Sequence, residues 1–445
     1  MKTFPLLLAT FSAAFSITAM AADDGLPVPP MQGKPWTPPE TKLSSVMVNS
    51  IKELFDQGMA DPRGCEYREV EIDPWGNGTQ KLKVHAWVLP GDGKTRYAVG
   101  WNGRVNEVAS VGDLVDLRKD FNADTHGLGG FGIDPRWPVH DFLILPQQRA
   151  TPVKVALLLR LGEADLAEGV WNEGYKGNGN MLANDPYSEM AREWLDAWYN
   201  AAIAAHLQGR DPLALSMFRA LVPLKKSVLA ASDAHGVTGL QPGQHYLDSL
   251  YQLDDLAADQ ERRAGEPQHT PALQANLPEG PGRIAALIRD LELVHGEQFM
   301  NPGETQLTVD PIVQALIKEG EPAVEPLIAC LDEDPPRMTH TMFTRGMAGS
   351  GPVEYTYEPA YVILTAILKV TITVPEPQGT DPHRLPLEIR KALAAKFRDY
   401  WAANKNISAA ERWFATLQND NATPAEWLQA AENITQPVTV MSMGP

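Results

Sequence analysis

The sequence predicts an α+β fold: a small N-terminal antiparallel β-sheet domain followed by a mainly α-helical, solenoid-like array of helix pairs. Between residues 65 and 110, apolar and polar residues alternate with the period of two that a half-buried strand requires. From Val153 onwards, apolar residues recur at the spacing of an amphipathic helix. The chain of 445 residues, 44% hydrophobic and 21% charged, is long enough for two or three domains with buried cores.

The charge balance excludes whole classes of partner. Lys and Arg number 38 against 56 Asp and Glu, which gives a formal net charge of −18. Such a chain offers no broad surface that neutralises phosphates, and it does not dock electrostatically on anionic lipid. We therefore expect no nucleic-acid binding.

The first residues have the pattern of an export signal. Lys2 precedes an apolar run over residues 4–17, and Ala19 and Ala21 occupy the −3 and −1 positions of a cleavage site. The run is shorter than the roughly 20 residues that span a bilayer. We therefore predict that residues 1–21 are a signal peptide, that no membrane span remains after its cleavage, and that the mature protein is exported, periplasmic or secreted.

Cys65 and Cys330 are the two cysteines of the chain. An even pair in an exported protein allows a disulfide bond. The alternative is a pair of free thiols, because Cys330 stands in an apolar helical segment, residues 327–331, where a buried thiol is common. The sequence leaves both interpretations open.

A Pro-rich leader at 22–43 precedes the predicted β-sheet domain at 44–150. Asn77-Gly78 and Asn102-Gly103 separate alternating segments, and Asn-Gly is the preferred pair for a tight hairpin turn. The expected strands of this meander are 66–73, 80–89, 95–101 and 104–110. Aromatic residues Trp75, Trp87 and Trp101 fall in this domain; we expect them in its core, with an exposed carbohydrate-binding surface as the alternative.

Residues 151–265 are predicted to form helical hairpins. Gly162, Ala167 and Trp171 recur at the same spacing as Gly209, Ala214 and Phe218. A Gly ends one helix in a left-handed turn, an Ala allows close helix contact, and the aromatic residue one turn later packs on the partner helix. This pattern resembles half of a tetratricopeptide repeat, which implies helical hairpins stacked side by side.

Residues 280–445 are predicted to contain further helix pairs. In the segment 319–334, Val324, Leu327, Ile328 and Leu331 form one apolar stripe, and an acidic turn follows. The segment resembles the first helix of a HEAT repeat. The second helix of that unit is delayed to 358–368, so we predict a hairpin insertion at about 337–357. Two capping boxes are predicted near the C-terminus, at Ser408 with Glu411 and at Thr423 with Glu426.

The insertion supplies the candidate binding residues. As a strand, 338–342 would place Met338, His340 and Met342 on one face, a soft ligand set that suits Cu(I). The interpretation that we favour is a hairpin whose Met and aromatic side chains pack on a neighbouring helix. The binding residues that we predict are Met338, His340, Met342, Arg345, Tyr355 and Tyr357.

No pattern in the sequence predicts catalysis. The ten His include no HExxH motif, Gly-x-Ser-x-Gly is absent, and no cofactor or metal is expected. The favoured function is an exported scaffold that binds a protein or peptide partner through a helical-repeat surface, since stacked helix pairs create extended binding faces. The alternatives are a hydrolase-like envelope enzyme, with Asp124, His126 and His140 as its site, and a carbohydrate-binding envelope protein.

Overall fold

The chain has a mixed fold, rich in helices and with one five-stranded antiparallel sheet. In the computed structural model, two compact units comprise Met1–Ala205 with Pro212–Leu253, and His206–Asp211 with Asp254–Pro445. The residues that the structure describes are 27–72, 81–91, 96–122, 152–175, 186–234, 252–299, 304–342, 353–375 and 385–435. The predicted signal peptide lies outside them. Over 27–43 the chain forms neither helix nor strand, as a Pro-rich segment should.

The first unit contains the predicted meander. Its elements, in chain order, are α1 Ser45–Asp56, β1 Glu66–Ile72, β2 Leu82–Val88, β3 Tyr97–Val99, β4 Val105–Glu107, β5 Ser110–Leu114 and α2 Leu117–Asn122. The strand order is β4-β3-β2-β1-β5, with every neighbouring pair antiparallel. The strand predicted at 104–110 is shorter in the structure, where it forms β4. A fifth strand, β5, follows it and pairs with the edge of β1 that β2 does not occupy. One face of the sheet is apolar, and its buried residues are Val70, Ile72, Val84, Ala86, Ala98 and Val108.

A buried ion pair lies in the same unit. Arg160 donates from Nε and Nη2 to Asp61 Oδ2 at 3.0 and 2.9 Å, and Arg63 binds the same carboxylate at 2.8 Å. The Arg160 guanidinium also lies 4.6 Å from the ring centroid of Phe55 and 4.8 Å from that of Trp36. A carboxylate with no exposed surface is therefore satisfied by two cations, which burial requires.

Four more helices lie in the described residues between 152 and 234, and the corner between the last two, residues 206–211, belongs to the second unit. These helices are α3 Pro152–Arg160, α4 Ala164–Tyr175, α5 Pro186–Leu207 and α6 Asp211–Ala234. Gly162 and Gly209 have φ values of 89° and 66°, the left-handed backbone that a side chain disfavours. Ala167, Ala214 and Phe218 are fully buried, so the repeated pattern marks two equivalent helix-turn-helix corners.

The second unit alternates helices with two short hairpins. Its elements are α7 Leu253–Gly265, α8 Pro281–Arg289, β6 Glu297–Phe299, β7 Glu304–Gln306, α9 Pro311–Glu319, α10 Val324–Leu331, β8 Met338–Met342, β9 Val353–Tyr355, α11 Tyr357–Leu368, α12 Leu387–Asn404, α13 Ala409–Leu417 and α14 Pro424–Thr435. The apolar stripe of α10 is buried, and α10 packs against both α11 and α12. The inserted hairpin β8–β9 thus separates two helices that pack on each other.

Both capping boxes are present. Ser408 Oγ accepts from the Glu411 amide, and the Glu411 carboxylate accepts from the Ser408 amide. Thr423 and Glu426 make the same pair of contacts at the start of α14. Among the helices of the described ranges, none combines the length and the apolar character needed to cross a bilayer.

Candidate functional site

The inserted hairpin of the second unit holds most of the predicted binding residues. Its strands are antiparallel, with Met338 opposite Tyr355 and Met342 opposite Val353. A bulge between these two pairs offsets the register. The hairpin is therefore present where the sequence predicts it.

The predicted binding residues are core residues. Met338, His340, Met342, Tyr355 and Tyr357 are all buried, with at most 6% of the residue surface exposed. Arg345 lies outside the described residues. The physical reason is that β8 is covered on both faces, whereas the period of two predicts one covered face. A partner cannot reach these five side chains, which corrects their assignment as a binding surface.

Tyr355 of β9 and Tyr357, the first residue of α11, have a packing role. Their rings stack with centroids 5.1 Å apart and planes at 9°. The Tyr355 hydroxyl donates to Asp255 Oδ2 at 2.8 Å, which fixes β9 to α7. The interpretation in which aromatic side chains of the insertion pack on a neighbouring helix therefore fits these residues.

His340 belongs to a polar cluster that the sequence does not reveal. One potential metal-ligand atom each of His206, Asp211 and His340 lies within 4.8 Å of the other two. His206 is the penultimate residue of α5 and Asp211 the first of α6, so the turn at Gly209 brings both to β8. The ring centroids of His206 and His340 are 5.0 Å apart, and His295 lies 5.1 Å from His340 on another side. This group of His and Asp side chains shares only His340 with the Met-His-Met set that was considered for Cu(I).

Hydrogen bonds fix the tautomer of His206. Its Nε2 lies 2.7 Å from the Thr339 carbonyl oxygen, which can only accept, so Nε2 carries the proton. Its Nδ1 then accepts from Gln260 Nε2 at 2.8 Å. The same amide nitrogen donates to Asp211 Oδ1 at 3.2 Å, which leaves Gln260 Oε1 buried and without a hydrogen-bond partner among the described residues.

Burial sets the charge of the imidazoles. It lowers the pKa of His206 to about 4 and that of His340 to about 2, and the positive charge of Arg263 adds to both effects. Burial also lowers the pKa of His295, although Asp310 opposes the shift. All three rings are therefore neutral at pH 7, each with one ring nitrogen able to accept.

A network of ion pairs adjoins the cluster. Asp259 accepts from Arg262 at 2.8 Å and from Arg263 at 2.7 Å, and Arg262 also pairs with Glu292 at 2.8 Å. Burial alone would raise the pKa of Asp259, but the two guanidinium groups outweigh it and hold the pKa below its usual value. Arg263 donates onward to the Met338 carbonyl at 2.8 Å and to His340 Nε2 at 3.2 Å. The network thus connects α7 to β8.

A second feature of the same unit is an apolar groove of about 490 Å³. Helix α8 forms one wall and helix α10, with the residues that flank it, forms the other. The groove is lined by Pro281, Ile284, Ala285, Ile288, Pro322, Pro326 and Ala329, with Cys330, Glu333 and Arg337 as its polar members. Its size is in the range of pockets that take small molecules or a few side chains.

Both cysteines are free thiols, so the disulfide bond that the sequence allowed is not formed. The Cys330 thiol donates to the Pro326 carbonyl oxygen of the same helix at 3.4 Å. Burial raises the pKa of Cys330 to about 11 and that of Cys65 to about 12. Neither thiol is a thiolate at neutral pH, which makes both unreactive.

The two described tryptophans of the predicted set do not form an exposed carbohydrate-binding surface. Trp87 and Trp101 are buried and pack at 4.6 Å between ring centroids, so these two indoles cannot stack on a sugar. Trp75, Asp124, His126 and His140 lie outside the described residues. Asp120 accepts from the Tyr67 hydroxyl at 2.7 Å and pairs with His85 Nδ1 at 2.8 Å, which ties α2 to strands β1 and β2.

No protein-family profile, curated protein or solved structure matched the chain.

Proposed function

We propose that the protein is an exported, non-catalytic interaction protein whose second unit docks an apolar and basic peptide segment of a partner in the groove between α8 and α10. The observation that carries this proposal is the apolar lining of that groove. Helix pairs with an apolar groove between them are a recurrent mode of peptide recognition.

The surroundings of the groove define the chemistry of the partner. Residues 319–334 contain six acidic residues and no Lys or Arg. Arg283 and Arg337 pair with Glu319 and Glu333, whereas Glu325 and Asp334 are exposed and make no ion pair with another described residue. Glu325 stands one helical turn before Ala329, on the groove side of α10. A peptide that inserts apolar side chains would therefore gain from Lys or Arg residues at its edge.

The rigidity of the walls also supports docking. Pro281, Pro322 and Pro326 lack backbone donors and restrict the chain, so the groove walls lose little conformational freedom when a peptide binds. In this proposal α10 and α11 are a HEAT-like helix pair with the hairpin inserted between them. The apolar stripe of α10 and its packing on α11 are consistent with such a pair.

A peptide-display selection tests the proposal. A phage-displayed random dodecapeptide library is panned against the mature chain, and enriched sequences are measured as synthetic peptides by fluorescence anisotropy. We expect enriched peptides to carry at least two large apolar residues and a Lys or Arg. The variant Ala329→Lys, at an exposed groove position, should weaken their binding at least tenfold.

The matched control is Ala395→Lys, an exposed alanine on α12 that does not line the groove. It should leave peptide affinity unchanged. Failure to enrich any peptide, enrichment of acidic peptides, or equal binding by the Ala329→Lys variant would each contradict the proposal.

A further inference from the structure

We propose that His206, Asp211, Gln260 and His340 form a binding site for a divalent transition-metal ion of the Zn²⁺ type. The site is independent of the peptide groove. It joins the corner between α5 and α6, the middle of α7 and the strand β8, three segments that lie far apart in the sequence.

The donor atoms match the ion. Two imidazole nitrogens and one carboxylate oxygen are a frequent ligand set for zinc in proteins. These three atoms lie within 4.8 Å of one another, and about 3.4 Å separates neighbouring ligands around a tetrahedral ion with bonds of about 2.1 Å. Closure of the set therefore needs a movement of roughly an ångström, which side-chain rotation supplies.

The orientation of His206 is that of a metal ligand. Its Nε2–H donates to the Thr339 carbonyl, so the lone pair of Nδ1 points away from that carbonyl and towards the cluster. Metal-binding histidines almost always donate their second ring nitrogen to a carbonyl or carboxylate in this way. The backbone of β8 thus holds His206 ready to coordinate.

Gln260 is the independent observation that points to a ligand. Its amide nitrogen lies between His206 Nδ1 and Asp211 Oδ1, where two acceptors would attract a cation. Its Oε1 is buried without a partner in the described part of the chain, and the residue is 1% exposed. Rotation of the amide by half a turn removes the nitrogen from that place and offers Oε1 as a fourth ligand. Metal binding would then satisfy a buried acceptor that otherwise has no hydrogen-bond partner among the described residues.

The local charges permit a cation. Arg263 lies 3.2 Å from His340 Nε2, but its charge is compensated by Asp259 at 2.7 Å and by Glu292 at 3.6 Å. The ion would replace that long contact, while Arg263 keeps its bonds to Asp259 and to the Met338 carbonyl. Asp211 is half-buried, so the cluster has one side that an ion can approach.

Titration of the metal-free mature chain tests the site. After EDTA treatment and dialysis, ZnCl₂ is titrated by calorimetry in the presence of a competing chelator, without an affinity tag. We expect one equivalent to bind with a Kd of about 1 µM or tighter, and Co²⁺ to give the visible absorption of a tetrahedral ion. Asp211→Asn should weaken Zn²⁺ binding at least tenfold.

Two further variants separate a metal site from a polar core. Gln260→Glu should lower the melting temperature in EDTA, because two carboxylates then adjoin, and Zn²⁺ should restore it. Asp165→Asn, in the first turn of α4 after the equivalent Gly162 turn, is the control and should bind Zn²⁺ as the wild type does. The proposal is overturned if Zn²⁺ does not bind, or if Asp211→Asn and Gln260→Glu leave its affinity unchanged.

Discussion

The five-stranded sheet and the β8–β9 hairpin differ in how their strands are buried. In the C-terminal half of β1, Val70 and Ile72 face the core, while Glu69 and Glu71 face solvent, where Lys83 and Lys81 pair with them. In β8, all five residues are buried, three of them polar. A one-sided strand needs only the right alternation, whereas a strand buried on both faces needs a specific partner for each polar group. Removal of such partners should therefore damage the hairpin far more than the sheet.

The largest effect is expected for Asp259→Ala. This carboxylate holds Arg262 and Arg263, and Arg263 in turn binds the Met338 carbonyl of the hairpin. Its loss leaves two poorly solvated guanidinium groups short of a counter-ion. We expect the free energy of unfolding to fall by about 3 to 5 kcal/mol. Urea denaturation followed by circular dichroism measures the change.

The control is Asp420→Ala, an exposed acidic residue between α13 and α14. It should leave the urea midpoint unchanged. If Asp259→Ala were equally harmless, the buried hairpin would not depend on the ion-pair network.

The difference between the two regions also decides what the sequence could predict. The meander and the Gly162 and Gly209 turns follow from local rules: alternation, Asn-Gly pairs, and a glycine where φ is positive. The hairpin between α10 and α11 was predictable from the delay of the second helix. Each of these features depends on neighbours in the chain.

The polar cluster around His206 could not be predicted from the sequence, because it depends on residues that are distant in the chain. The His206 ring is oriented by the Thr339 carbonyl and by Gln260, residues separated from it by most of the second unit. No spacing motif encodes such an encounter. The nearest signal was His206 and Asp211 on either side of a Gly turn, but many surface turns carry the same residues. The interpretation in which Met338 and Tyr355 pack on a neighbouring helix was available from the sequence, but alternation alone does not reveal that β8 is covered on both faces.

The pH dependence of the hairpin provides the second test. Glu354 in β9 is buried, and burial raises its pKa from 4.5 to about 7. The folded state therefore binds the proton more tightly than the unfolded state, and stability should fall as pH rises from about 4.5 to 7. Glu354→Gln removes this loss. We expect it to stabilise the protein at pH 8 by on the order of 2 to 3 kcal/mol and to have little effect near pH 4.5.

Urea midpoints at both pH values measure the effect. Glu325→Gln, an exposed position on α10, is the control and should show no such difference. A Glu354→Gln variant with the same pH profile as the wild type would mean that the carboxyl reaches solvent.

A smaller loss is expected for Thr339→Val, which keeps the shape of a fully buried side chain. The Thr339 hydroxyl donates to the Glu354 carbonyl and accepts from the Thr341 amide, both at 3.0 Å. Valine leaves the two backbone groups to find other partners, at a cost of about 1 to 2 kcal/mol. Thr308→Val, at an exposed position, should cost nothing measurable. Equal urea midpoints for the two variants would contradict a specific role for the buried hydroxyl.

The smallest effect is expected on the outer face of the sheet. Lys83 Nζ lies 2.6 Å from Glu69 Oε1, the shortest of the contacts compared here, and hydrogen bonding to Glu69 raises the pKa of Lys83. Its side chain is nevertheless 64% exposed, so water and salt compete for both charges. We expect Lys83→Gln to leave the urea midpoint at 0.15 M salt unchanged. A loss as large as that of Thr339→Val would show that the solvent face of the sheet also depends on specific partners, and the contrast between the two β structures would then disappear.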